Sequence, residues 1–344
     1  MQDGGKPMKN SQIYSIRSNK PLFWIVLIGL VITMVIASLG MGSVRLTPMQ
    51  VISALGSGDT TSTAAKIVLF SRLPHTFAAM LSGMALAVAG AVIQTVLHNP
   101  LASPGIIGVN SCAGFSVALV CAIVPTAQRV LPLIAFMGGL AGVFLIMGLS
   151  YHTGASRMTV ILAGIAVSNL FSAGIDAVVT LVPDALHGVT DFRIGGFSNV
   201  SMTQLFPAAL MIIGSLVLVL SFSQQLDILA LGSDVAQSLG LSVKPIRMIL
   251  LILAAALAGA AVSFSGLLSF IGLIVPHTMR KFVGNDSFPL LLSSAFGGAF
   301  FVMLCDLLAR CIFRPFELPV GIVLAFAGAP FFLWLLFRQK GGRG

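Results

Sequence analysis

Ten apolar runs divide this chain, and only a bilayer offers all of them a suitable solvent. They fall at roughly 22–39, 70–97, 106–124, 130–149, 160–182, 205–222, 246–264, 267–279, 290–313 and 318–337. A helix needs about twenty such residues to cross the hydrocarbon core. The eighth run is short and reads as a brief span or a re-entrant piece. Charged residues make up 8% of the chain and hydrophobic ones 57%, whereas a soluble domain carries roughly 25% charged residues. With a mean hydropathy of +1.03, a soluble form would expose wide sticky patches. Strict alternation of apolar and polar residues is missing, which argues against a transmembrane barrel. The expected fold is therefore an all-α polytopic membrane protein of about ten spans. Residues 1–21 form an N-terminal segment, 22–337 the membrane domain and 338–344 a basic tail.

The basic residues orient these spans. With ten crossings both termini share a side, which carries Lys6, Lys9, Arg17, Lys20, Arg157, Lys244, Arg247, Arg280, Lys281, Arg338, Lys340 and Arg343. The other side carries Arg45, Lys66, Arg72, Arg129, Arg193, Arg310 and Arg314. The excess places both termini in the cytoplasm. The formal charge of +9 then belongs beside anionic lipid heads, not nucleic acid. The polar lead to Lys20 and the long first run do not read as a cleavable signal peptide.

The stretch 72–108 organises the rest. Pro74 suits the first turn of a helix, because it has no backbone N–H to donate. Ala79, Gly83, Ala87 and Gly90 keep one flank slim, so that other helices can approach closely. Pro100 and Pro104 end the helix, and Gly105 and Gly108 supply permissive backbone in a compact loop. Gly138 and Gly142 form a second small-residue packing device. Segments 43–65 and 183–201 read as polar outer loops. Segment 223–245 reads as a structured inner hairpin, in which Ser233 can cap a short helix, Asp234 lies in its first turn and Gly240 ends it.

The sequence lacks the marks of a catalyst. It contains no P-loop, no His-Glu-x-x-His and no Gly-x-Ser-x-Gly, so no catalytic residue, metal site or cofactor is expected. Cys112, Cys121, Cys305 and Cys311 have no metal-ligand spacing and read as small packing residues. Asp306 can pair with Arg310 four residues along one helix face. Asp176 reads as a locally paired or interior-facing residue and not as part of a proton relay. Two geometric signals remain. Arg72 and Arg310 stand at outer helix ends, with His75 one turn from the first. The partly apolar inner hairpin calls for a docked partner. An ion-coupled secondary transporter stays open on the residues alone.

The motifs together resemble the permease subunits of type II ABC importers, a FecCD-like family that takes up iron-siderophores, haem and cobalamin. The resemblance rests on Arg72-Leu73-Pro74, on Asn99-Pro100-Leu101-Ala102-Ser103-Pro104, and on Leu229-Ala230-Leu231-Gly232 with Ala236 and Leu239-Gly240. It also rests on Gly272-Leu273-Ile274-Val275-Pro276-His277 with Arg280, on Asp306 to Arg310, on Glu317 to Gly321, and on Gly328-Ala329-Pro330-Phe331-Phe332. It implies a ten-helix subunit that works as a homo- or heterodimer in the bacterial inner membrane. Two ATPase subunits would dock on the cytoplasmic face and an extracytoplasmic substrate-binding protein outside. Arg72, His75 and Arg310 would face that binding protein, with His75 standing where the family usually has a second arginine. Asn99, Leu101 and Ser156 would form the cytoplasmic gate. Leu229, Gly232, Ser233, Asp234, Ala236, Leu239 and Gly240, within a hairpin at about 224–243, would couple to the ATPase. The cargo implied is a metal chelate, an iron-siderophore first, moved by alternating access.

Overall fold

A computed structural model describes residues 20–42, 44, 46–56, 62–124, 130–152, 157–198, 200–312 and 316–340. The gate position Ser156, the basic positions Arg45, Arg129 and Arg314, and the terminal segments before Lys20 and after Lys340 lie outside them. Among the described residues every regular element is helical. In chain order these are α1 (Lys20–Gly40), α2 (Pro48–Gly56), α3 (Thr63–Leu97), α4 (Val109–Ile123), α5 (Leu131–His152), α6 (Arg157–Leu181) and α7 (Leu186–Ile194). They continue with α8 (Met202–Ser221), α9 (Ser223–Ala230), α10 (Ser233–Ser238), α11 (Val243–Ser265), α12 (Ile271–Val283), α13 (Ser287–Ile312) and α14 (Val320–Lys340).

Each of the ten apolar runs coincides with a helix. Seven helices among the described residues are long and apolar enough to cross a membrane, and α4 and the Val320–Trp334 part of α14 are shorter apolar helices. The eighth run is α12, only 13 residues long and preceded by the non-helical segment 266–270.

Helix α3 lies at the centre, packed against α11, α12 and α13. Its small residues are the reason it can be there. A side chain at Gly83 would collide with the Gly298 carbonyl of α13, and one at Gly90 would collide with Gly272 of α12. At both crossings backbone meets backbone, which only glycine permits. Gly138 and Gly142 of α5 instead make room for side chains, those of Ser116 and Cys112 on α4. Cys112, Cys121 and Cys305 are buried, as packing residues should be.

Pro74 stands in the first turn of the α-helical stretch Leu73–Leu97, as expected; a short helical turn, Thr63–Lys66, and a π-helical turn, Ile67–Arg72, run into that stretch and complete α3. Two sequence expectations need correction. The two outer loops are largely helical. Segment 43–65 contains α2, whose Ala54 packs with Ala65 and Val68 of α3. Segment 183–201 contains a short 3-10 turn, Pro183–Ala185, and then α7. Finally, Gly232 and not Ser233 holds the N-cap of α10.

Candidate functional site

The charged residues singled out from the sequence converge at one end of the bundle. Arg310 and Asp306 pair at 2.7 Å along α13, as their spacing requires. The second carboxylate oxygen of Asp306 lies 2.8 Å from His75 Nε2 on α3. A guanidinium nitrogen of Arg310 also donates to Ser38 Oγ at 2.7 Å, and that oxygen lies 2.7 Å from Thr76 Oγ1. Arg72 donates to the backbone carbonyls of Leu39, at 2.6 Å, and Val44. Phe197 covers the His75 ring edge-on at 5.6 Å.

Every member of this cluster is buried, with Arg72 and Arg310 each only 4% exposed. The burial follows from what the arginines bind. Helix α1 ends at Gly40, and its last carbonyls have no partner within the helix. Arg72 reaches Leu39 O, while Arg310 approaches Ser38 O and Met41 O at 3.4 and 3.5 Å. Two cations at a helix C-terminus also oppose its dipole favourably. Gly42 lies against both guanidiniums. The structure thus brings Arg72, His75 and Arg310 together with Asp306, whose pairing with Arg310 the sequence expected, and adds Ser38 and Thr76, which the sequence had not joined to them. Asp176 is paired as expected, with Arg193 at 3.2 Å, but both side chains are largely exposed and not interior.

The opposite end holds the other two groups of candidates. After Leu97, His98 turns left-handed (φ 50°) to close α3. Asn99 then folds the chain back: its Oδ1 accepts the Leu101 N–H at 2.9 Å and its carbonyl accepts the Ala102 N–H at 3.0 Å. This Asx-type turn explains an asparagine just before Pro100. Leu101 borders a cavity of about 310 Å³ lined also by Ser103, Asn110, Phe270 and Phe332.

In the hairpin α9–α10 the coupling candidates divide into two faces. Leu229 and Ala236 are buried underneath, along with Leu226. Gly240 (φ 83°) lets the chain reverse, so that Leu241 N–H bonds Ala236 O in a Schellman-type closure. Asp234, Leu239 and Gly240 are exposed. Ser233 Oγ accepts a 3.0 Å bond from Arg247 of α11. Sequence reasoning missed Leu231 and Val235, which are 61% and 47% exposed, as Leu239 is at 60%. The Gly232 turn separates Leu231 from α10, so no single helical repeat marked the set.

Comparison with known proteins adds the context. The model of the FecCD transport family matches residues 30–338. The hemin transport system permease protein HmuU of Yersinia pestis is 36% identical, over 90% of this chain and 95% of its own. The Fe(3+) dicitrate transport system permease protein FecD of Escherichia coli is 39% identical, over 80% of this chain and 86% of its own. Among solved structures, a metal-chelate type ABC transporter in an inward-facing conformation superposes with a TM-score of 0.83. It is 27% identical and matches over 92% of this chain and 99% of that one.

Proposed function

The chain belongs to the FecCD transport family, and on that premise we propose that it is the membrane permease subunit of an ATP-binding-cassette importer carrying a metal chelate. The observation that carries this reading is the extent of the match, which runs from the middle of α1 into the last turn of α14. The relatives' cargoes, hemin and ferric dicitrate, point to an iron chelate such as a siderophore complex, a citrate complex or haem. Two such permeases would enclose the pathway. The energy would come from separate ATPase subunits, because this sequence has no P-loop of its own.

In this reading the hairpin end faces the cytoplasm, in accord with the excess of Lys and Arg there. The exposed Leu231, Val235 and Leu239 are the contact for the ATPase, and the Asn99–Leu101 turn is the cytoplasmic gate. The cluster of Arg72, His75 and Arg310 lies at the end where the binding protein docks, and there it holds α1 in place. ATP-driven closure of the ATPases would move the hairpins together and tilt the helices around the pathway.

Reconstitution tests this directly. Proteoliposomes holding the permease, its ATPase and its binding protein should accumulate iron-55 chelate or haem only with all three components and ATP. Accumulation by the permease alone, against a gradient, would overturn the proposal.

A further inference from the structure

Among the described residues, polar side-chain contacts tie the hairpin to the bundle, and one of them reaches an unexpected helix. Asp227 of α9 accepts, through its Oδ1, the backbone N–H of Ser287 at 2.8 Å. Ser287 is the first residue of α13, since the Asp286 carbonyl accepts the first intrahelical bond from Leu290. The first turn reads Ser287-Phe288-Pro289. Pro289 has no N–H, so Asp227 satisfies one of only two donors left there. A carboxylate at this point also complements the helix dipole.

Helix α13 then runs 26 residues without a break. Some 30 Å further along it presents Asp306 and Arg310, which hold His75 of α3 and Ser38 of α1. One uninterrupted helix therefore has the hairpin attached at its foot and the buried cluster at its head. The second tie, Arg247 to Ser233, holds α10 to α11 and leaves this route unchanged.

We infer that Asp227 is the positioning residue through which displacement of the hairpin moves α13 and, through it, the Asp306–Arg310 cluster. The inference rests on the hairpin's being the ATPase contact. It makes the Asp227–Ser287 bond necessary for communication between the ATPase and the binding protein, and dispensable for assembly or for ATP hydrolysis as such.

The test uses the complete importer in lipid nanodiscs, with ATP hydrolysis measured with and without the purified binding protein. Asp227→Ala should leave basal hydrolysis unchanged and reduce the binding protein's stimulation by about fivefold or more. Asp227→Asn keeps an oxygen acceptor and should retain at least half of the stimulation. Ser287→Pro removes the donor itself at a helix position where proline is well tolerated, and should behave like Asp227→Ala. Should Asp227→Ala fail to assemble, Ser287→Pro decides alone. Parental stimulation in Ser287→Pro, or Asp227→Asn as impaired as Asp227→Ala, overturns the inference. Leu239→Asp tests the reading beneath it separately: if the ATPase still assembles on that variant at parental level, the hairpin is not the contact. If Leu239→Asp blocks assembly while Asp227→Ala and Ser287→Pro signal normally, only the coupling inference fails.

Discussion

The two ends of the molecule solve opposite problems. At one end, two arginines, a histidine and an aspartate are buried, and their hydrogen bonds run to neighbouring side chains and to the carbonyls that close α1. At the other end, Leu231, Val235 and Leu239 lie open while Leu226, Leu229 and Ala236 of the same hairpin are packed. Polar groups that apolar surroundings would penalise are satisfied internally. Apolar groups that water would penalise are left uncovered. The first pattern describes an end completed by its own chain, and the second an end completed by something else.

Three measurements would break or sharpen this contrast. The largest expected effect is at the charged end. Arg310→Met leaves Asp306 buried without its main cation, and should cost about 3–5 kcal/mol of stability. Thermal unfolding in detergent would report it, and adding Asp306→Leu should recover much of the loss. An unmoved midpoint in the single variant would mean that the cluster is not held together as described. Ser38→Ala should cost less, about 1–3 kcal/mol, because it deprives Arg310 of a buried acceptor. Unfolding that loses α1 fluorescence first, at Trp24, would locate the damage. The smallest stability effect is expected at the hairpin. Serine at Leu231, Val235 and Leu239 together should change stability by no more than about 0.5 kcal/mol for each exposed site. The same triple variant should nevertheless lose co-purification with the ATPase. Normal co-purification would remove the hairpin from the partner surface.

The sequence made some of this architecture plain and hid the rest for physical reasons. Apolar runs of spanning length have few alternatives in lipid, so all ten emerged as helices. Gly83 and Gly90 showed a slim flank, but their partners Gly298 and Gly272 lie far along the chain, and spacing alone does not name them. The Asp306–Arg310 pair was legible because it is local. His75 joins it across 231 positions, a contact that only the packing of α3 against α13 creates. Helices α2 and α7 were hidden because they are short and lie between spans, where hydropathy gives no length criterion. Leu231 and Val235 were overlooked because they sit among residues that matched known motifs, and the Gly232 turn between them breaks any helical repeat.

The glycine crossings on α3 carry a mechanical consequence. Gly83 and Gly90 lie about two turns apart, and each seats the helix directly on another main chain. A rod clamped at two stations cannot pivot about either one, so α3 is the keel of the molecule. The membrane-length stretch of α3 is 83% buried, whereas the corresponding stretch of α6 is 22% buried and that of α8 is 28%. Any shift of α13, which is seated on that keel at Gly298, is therefore shared with α3, and a bulky residue at either clamp would spring the hull before it altered any cargo.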